Sequence, residues 1–423
     1  MEKGTAGDAQ WICNTPLHSD VEAKLRQLLV ELRDDNQILG IQVCAYKDGK
    51  VIIDSAAGVL GEDDPRPVRP DTLFPVFSAT KGITTALLHW LVDKGKVKLD
   101  ENVANVWPGF GTNGKEHIKV HHVLNHTSGL HNALGKSWLE NASLICDWDK
   151  CLSEIATSVP ETEPGREQWY HYSSFGWLCG GVIEHTSGKK FQEILEEAII
   201  HPLQIEGELY IGIPPGVESR LATATLDTAE LEPIASLISL CNMLEIRRAI
   251  LPSVNGNSSA RALARFYASL VDGGVIPPSH SSLAKPFLGS HPHIPTIHSE
   301  NNSTNQKQNK DVAPPFKYNE DDTEINKNFG NGTNTGLAGN GISTYSDSVI
   351  SLGEGSGKGN AIRIFKDPRI HDAFLGVGEY EDMVLKNGEF GLGFKRWSSN
   401  DGSFVGFGHR GFGGSVTFPA DLL

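Results

Sequence analysis

Ser78 and Lys81 stand three positions apart at the head of a predicted helix, so their side chains share one face about a turn apart. An amine that is buried among apolar side chains loses its proton near neutral pH, and it can then accept the proton of a neighbouring hydroxyl. The spacing therefore predicts a serine nucleophile that a lysine activates. The alternative is an ordinary serine that caps the helix.

The same spacing occurs again at Ser187 and Lys190. That second match lies in a glycine-containing turn between two predicted helices, where the double lysine faces water. Lys81 is instead followed by apolar residues at helical spacing, among them Ile83 and Leu87, which predict a buried helix. Burial therefore favours Ser78 and Lys81 as the reactive pair.

The elements around this pair predict a mixed fold. Residues 19 to about 36 form an amphipathic helix with a capping-box start, and strands at 41–47 and 50–56 flank the turn dipeptide Asp48-Gly49. Further helices are predicted at 138–158, after Ser174 and from 259 to a stop at Gly273, and strands at 391–397 and 405–418. The middle of the chain is thus mainly helical.

Composition narrows the class of protein. The 423 residues carry a net charge of −15, which disfavours nucleic acid and anionic membranes as partners. No apolar run reaches the ~20 residues that cross a bilayer, and residues 1–10 are too polar for a secretory signal. Six scattered cysteines without a C-x-x-C pair predict reduced thiols. We expect a soluble intracellular protein, cytoplasmic or organellar.

Three other features are read as non-catalytic. Residues 290–360 are rich in Asn and Gly and predict a disordered insertion. The glycine-rich run 353–359 departs from a phosphate-binding loop at both diagnostic positions, so a flexible linker is favoured. His122 and His126 have the i, i+4 spacing of a metal pair, but no H-E-x-x-H pattern completes it, and we predict no metal and no cofactor.

Two later motifs complete a family pattern. Tyr172-Ser173-Ser174 follows the S-x-x-K motif, and His409-Arg410-Gly411 comes near the end of the chain. In this order the motifs resemble those of the serine β-lactamase and penicillin-binding-protein superfamily, especially its class C, DD-peptidase and esterase branches. The resemblance covers roughly 20–290 and 388–418. Other matching segments include Gly95 to Glu101, His126 to Leu130, Pro164-Gly165 and Gly180 to Glu184.

The resemblance implies a role for each catalytic residue. Ser78 would be the acylated nucleophile, Lys81 its activating base and Tyr172 the phenol that relays protons to the leaving group. The backbone N–H groups of Ser78 and Phe412 would form the oxyanion hole.

The resemblance also implies substrate-binding positions. Ser174 stands where the family often has Asn, and His409 where β-lactamases have Lys, while Gly411 would let a strand approach the substrate closely. A histidine that is only partly charged at neutral pH is a weak anchor for a carboxylate. We therefore expect an ester or a small amide as the substrate rather than a β-lactam.

The implied fold is α/β in the α+β sense. One antiparallel sheet, built from N- and C-terminal strands, would be flanked by helices, with a mainly helical lobe at about 100–260. Residues 1–18 would be a tail or linker and 19–423 the domain. Only fourteen residues follow His409, so a C-terminal strand and helix of the family are expected to be missing.

A second resemblance concerns residues 11–16 and 38–44. They are similar to the β-lactamase-like domain that follows an atypical kinase-like domain in some plant proteins, although no kinase signature is present. This leaves two alternatives open: a catalytically inactive interaction or regulatory module with a kinase-like domain or partner chain, and an inactive truncated product.

Overall fold

The computed structural model describes residues 11–135, 142–225, 238–278, 362–400, 402, 404–411 and 416–417. These residues belong to one compact unit. The predicted insertion at 290–360, the glycine-rich run within it and Phe412 lie outside the described residues.

Helices supply most of the regular structure that the described residues form. They are α1 Asp20–Asp34, α2 Thr80–Asp93, α3 Val103–Val106, α4 Val120–Leu124, α5 Trp148–Thr157, α6 Ser174–Ser187, α7 Phe191–Leu195, α8 His201–Leu203, α9 Leu244–Arg248, α10 Ala260–Val271 and α11 Ile370–Leu375. A π-helical turn, Glu196–Ile200, joins α7 to α8. Short 3₁₀ turns lie at Pro108–Phe110, Ala142–Cys146, Glu218–Arg220 and Gly378–Met383.

In the part of the chain that the structure describes, eight short strands form three antiparallel sheets. The strands are β1 Gly40–Lys47, β2 Lys50–Gly58, β3 Phe74–Phe77, β4 Leu209–Ile211, β5 Gly256–Ser258, β6 Lys395–Ser398, β7 Phe404–Arg410 and β8 Val416–Thr417. The sheets are β1-β2, β3-β5-β4 and β6-β7-β8. Within the described residues, N- and C-terminal strands are therefore not joined into the one sheet that the sequence predicted. Helix α10 packs against both β1 and β8.

The predicted hairpin is confirmed. Strand β1 pairs with β2 from Gly40 opposite Gly58 to Lys47 opposite Lys50. Asp48 and Gly49 both adopt positive φ, 52° and 69°, as the tight two-residue turn requires.

Helix α1 confirms its predicted cap but not the full capping box. The Ser19 hydroxyl accepts the Glu22 N–H at 3.1 Å. The Glu22 carboxylate turns inward instead and binds Ser55 and Arg26 at 2.8 and 2.9 Å. Burial alone raises the pKa of Glu22, but hydrogen bonds from His18, Ser55 and Arg26 outweigh it and lower the pKa to about 2. The buried carboxylate thus fastens α1 to β2.

The core forms where α2 and α6 pack together. Both helices are almost fully buried, and α6 carries Gly176 and Gly181 on its packed faces. A Cβ at Gly181 would lie 2.1 Å from the Trp107 ring, and one at Gly176 would lie 2.6 Å from the backbone of Ser253. These glycines let the elements that carry the site approach closely.

Among the helices described, none combines the length and the apolar character that crossing a bilayer requires.

Candidate active site

Ser78 lies in the turn between β3 and α2. Phe77, at the end of β3, has a φ of +44°, which is unusual for a residue with a side chain. The Thr80 hydroxyl stabilises this turn, because it donates to the Phe77 carbonyl and accepts the Gly256 N–H at 2.8 Å. Ala79, not Ser78, occupies the N-cap position of α2. The capping interpretation of Ser78 is therefore wrong, and its half-buried hydroxyl is available for other chemistry.

Lys81 is fully buried on the first turn of α2. Its Nζ lies 3.3 Å from the Ser78 Oγ. It also donates to two backbone carbonyls, at 2.7 Å to Tyr172 and at 3.1 Å to Ser253. A neutral amine has two N–H bonds and one lone pair. The two carbonyls take the two N–H groups, so the lone pair is left for the Ser78 hydroxyl.

The electrostatic surroundings favour this neutral amine. Burial lowers the pKa of Lys81 from its ordinary value of 10.5 to about 7. Among the described residues no carboxylate forms an ion pair with Lys81, so no such partner holds its proton in place. The amine can therefore act as a base near neutral pH.

Tyr170, which the motif comparison did not single out, faces this pair. The Lys81 Nζ lies 4.8 Å from the centre of the Tyr170 ring. Burial raises the pKa of the Tyr170 phenol, and a hydrogen bond with the Ser78 side chain opposes that rise. Ser78, Lys81 and Tyr170 thus form one contiguous cluster.

Tyr172, the predicted proton relay, contributes differently. Its ring is 44% exposed and packs edge-on against Tyr170 at 4.8 Å between centroids. The contact with Lys81 comes from its backbone carbonyl. In the sequence, tyrosine occurs at position 170 and again at position 172, but this spacing alone does not predict which of the two rings faces Ser78.

The structure brings His409 to this cluster and makes it neutral. His409 is 3% exposed on β7, and its ring lies 6.0 Å from that of Tyr170 and 6.1 Å from that of Phe390. Burial, with a smaller contribution from Lys81, lowers the pKa of His409 to about 3. The partial charge that the sequence predicted at neutral pH is therefore wrong, because burial removes it.

The structure gives less support for the other positions that were predicted to bind the substrate or the oxyanion. Ser174 is fully buried, and its hydroxyl donates to the His131 carbonyl at 3.2 Å, which differs from the expected substrate contact. Gly411 is half-buried just after β7. The second oxyanion donor, Phe412, lies outside the described residues, so that role stays a prediction.

The described histidines do not assemble a metal site. His122 belongs to α4, which ends at Leu124, whereas His126 has a left-handed φ of 63°. The two histidines therefore do not lie one turn apart on a single helix. Within the described parts of the chain, no three His, Cys, Asp or Glu side chains are grouped to hold a metal ion.

Comparison with known proteins identifies the family. The family described as beta-lactamase matches residues 25–350. The chain belongs to this family. Its members include esterases and penicillin-binding proteins as well as beta-lactamases.

Two curated relatives of this beta-lactamase-family chain are named as esterases. It is 29% identical over 264 residues to "Esterase/beta-lactamase LipL" of Mycobacterium tuberculosis, covering 56% of this chain and 59% of that protein. It is 25% identical over 215 residues to "Esterase EstB" of Burkholderia gladioli, covering 47% and 53%. The chain thus spans little more than half the length of these relatives.

Solved structures agree with the family fold. A family VIII carboxylesterase shares 27% identity at a TM-score of 0.56 over 62% of this chain and 72% of that one. A penicillin-binding protein homolog from Caulobacter crescentus has a TM-score of 0.61 at 23% identity, over 95% and 88% of the two chains, which supports the fold alone. The beta-lactamase-like fold, with mixed helices and antiparallel sheets, is therefore confirmed.

Proposed function

We propose that this chain is a metal-independent serine hydrolase that cleaves an ester or a small amide through an acyl-enzyme on Ser78. The observation that carries the proposal is the buried Lys81 amine, 3.3 Å from the Ser78 hydroxyl with both of its N–H groups held by carbonyls. Its relatives named as esterases support the same reaction class.

In the acylation step, the Ser78 Oγ attacks the substrate carbonyl carbon while its proton passes to the Lys81 Nζ. The new C–O bond gives a tetrahedral oxyanion, and in this proposal the backbone N–H of Ser78 is one of the donors that stabilise it. The intermediate collapses when the bond to the leaving group breaks. Tyr170 donates its phenolic proton to the departing oxygen or nitrogen and is reprotonated by Lys81.

Deacylation reverses these roles. Water attacks the acyl carbon and gives up its proton to the Lys81–Tyr170 pair, and the acid product leaves as Ser78 regains its proton. In this proposal Tyr170 takes the proton-relay role that the motif comparison gave to Tyr172. The reason is that the Tyr170 phenol interacts with the Ser78 side chain, whereas Tyr172 binds Lys81 through its backbone carbonyl and packs its ring edge-on against Tyr170.

The preferred substrate is an ester or amide with an uncharged acyl group. His409 stands where a cationic anchor is usual, and a neutral imidazole pairs weakly with a carboxylate. The exposed ring of Tyr172 beside Tyr170 offers apolar surface at the rim of the site instead. These features favour the esterase branch over β-lactam hydrolysis.

Pre-steady-state hydrolysis of a p-nitrophenyl ester tests the proposal. We expect a burst of p-nitrophenol that matches the amount of enzyme, and a mass increase of one acyl group on the peptide that contains Ser78. Ser78→Ala should show neither signal. A folded wild-type chain with no burst and no adduct would contradict the proposal and favour the competing function, an inactive module of an intracellular kinase-containing protein.

A further inference from the structure

We propose that His171 is a positioning residue that holds Tyr170 and Tyr172 against Lys81 through a buried network with Ser128 and His126. This inference rests on the proposed function, because it assigns a residue that supports the reaction without touching the substrate. None of these three buried polar side chains has a role in the reaction that the sequence predicted.

The ring of His171 is fully buried and uses both of its nitrogens. Its Nδ1 lies 2.6 Å from the Trp169 carbonyl, so Nδ1 carries the hydrogen. Its Nε2 lies 2.7 Å from the Ser128 hydroxyl and must therefore accept that proton. One neutral tautomer satisfies both contacts.

His126 also binds the segment that contains His171, residues 169–171, through two hydrogen bonds. The His171 backbone N–H donates to the His126 Nδ1 at 3.2 Å, and the Trp169 N–H donates to the His126 carbonyl at 3.0 Å. His126 holds the left-handed conformation, φ 63°, that presents both acceptors. The strained conformation of a residue other than glycine is thus used to dock residues 169–171 onto residues 126–128.

The position of His171 in the chain gives the network its importance. His171 lies between Tyr170 and Tyr172 in the chain. Tyr170 contacts Lys81 through its ring, and Tyr172 contacts it through its backbone carbonyl. A shift of the His171 ring therefore moves the Tyr170 phenol and the Tyr172 carbonyl together. Displacements of about 1 Å can cost roughly 100-fold in rate when they disturb reacting groups.

The network positions these groups without carrying protons. Burial lowers the pKa of His171 to about 3, and His131 and Lys81 nearby act in the same direction. The pKa of His126 is also lowered well below its ordinary value by burial, with smaller contributions from His171, Lys81 and His409. Both rings stay neutral at the working pH, so their contribution is geometric.

Two substitutions at His171 separate positioning from simple packing. His171→Phe keeps the ring volume and removes both hydrogen bonds, whereas the amide of His171→Gln can still accept the Ser128 proton. The matched control is His121→Phe. That histidine is also largely buried and also bonds a backbone carbonyl, at 3.1 Å to Met383, and its described ring contact is with His122.

The measurements are the kcat and KM of ester hydrolysis, the labelling rate of Ser78 by a fluorophosphonate, and the melting temperature of each variant. We expect His171→Phe to reduce kcat and the labelling rate by roughly 10–100-fold with little change in KM. The midpoint of the pH–rate profile of His171→Phe should rise. Water that reaches Lys81 makes its burial less complete, and burial is what lowers the pKa of Lys81. His171→Gln should recover most of the rate, and His121→Phe should lower the melting temperature alone.

Ser128→Ala provides a milder test if His171→Phe does not fold. It should slow labelling by itself. Where His171→Phe does fold, adding Ser128→Ala to it should have little further effect, since the two changes remove the same hydrogen bond. Equal rates for His171→Phe and wild type, equal losses in His171→Phe and His121→Phe, or no recovery in His171→Gln would each overturn the inference. A wild-type chain that neither labels nor turns over would instead overturn the proposed function, and this inference with it.

Discussion

The amine of Lys81 lies 3.3 Å from the hydroxyl of Ser78, and its other hydrogen bonds go to two backbone carbonyls. Carbonyls accept hydrogen bonds but carry no full negative charge, so they orient the amine without fixing a proton on it. An aspartate in the same place would favour the ammonium and remove the base. The pairing of Ser78 with a buried, carbonyl-bound lysine is the centre of the proposed chemistry.

Tyr170 and Tyr172 should respond differently to loss of the hydroxyl. Tyr170→Phe removes the phenol that interacts with Ser78, and kcat/KM for ester hydrolysis should fall by about 10²–10⁴-fold. Tyr172→Phe keeps the backbone carbonyl that binds Lys81, and its kcat/KM should stay within about threefold of wild type. The reverse order of the two losses would return the relay role to Tyr172.

The pH dependence should belong to Lys81. With its pKa lowered to about 7, the neutral base increases as pH rises through that value, so ester hydrolysis should increase and then level off. His409, with a pKa of about 3, is already neutral throughout this window. His409→Gln should therefore leave the midpoint unchanged in a profile from about pH 5 to 9. A midpoint that disappears in this variant would assign the titration to His409.

Stability should fall on mild acidification. His89, His171 and His409 are buried, with pKa values lowered to about 4, 3 and 3. In the unfolded chain they take up protons near pH 6.5, so the unfolded state binds more protons below that pH. The stability present above about pH 6.5 is lost progressively as pH falls towards about 4.

Urea unfolding at several pH values measures this loss. The free energy of unfolding should drop already between about pH 6.5 and 5, before most carboxylates titrate. His89→Gln, a change away from Ser78, should make the drop less steep. A free energy that is constant over that interval would show that the buried histidines are not held neutral.

Gly181 should not tolerate a larger side chain. A Cβ there would lie 2.1 Å from the buried Trp107 ring, so Gly181→Ala should destabilise the fold by about 1–3 kcal/mol despite the better helix propensity of alanine. Gly109→Ala is the control, because no atom lies within 4 Å of its Cβ position. Thermal melts of the two variants compare them, and equal melting temperatures would contradict the packing account.

The sequence predicts what depends on local spacing. Ser78 and Lys81 are three residues apart, and the apolar positions after them identify a buried helix, so the pair could be inferred before the structure. The turn at Asp48-Gly49 and the cap at Ser19 are equally local. Each of these features is fixed by residues within a few positions of one another.

The sequence does not predict what depends on distant contacts. The placement of Tyr170 beside Ser78 involves the docking of residues 169–171 on His126, some 45 positions away. The charge of His409 follows from burial against Tyr170 and Phe390. The pairing of β3 with β5 likewise joins residues far apart in the chain, such as Phe74 and Ser258. No short pattern contains this information.

Labelling of Ser78 with a fluorophosphonate probe tests the central claim most directly. We expect the folded wild-type chain to form one adduct on Ser78, faster above pH 7 than below it because Lys81 is then neutral. Ser78→Ala and Lys81→Ala should abolish the adduct, whereas Ser187→Ala, the second serine with the same spacing to a lysine, should label normally. A folded wild-type chain that stays unlabelled, or a probe bound elsewhere than Ser78, would contradict the account.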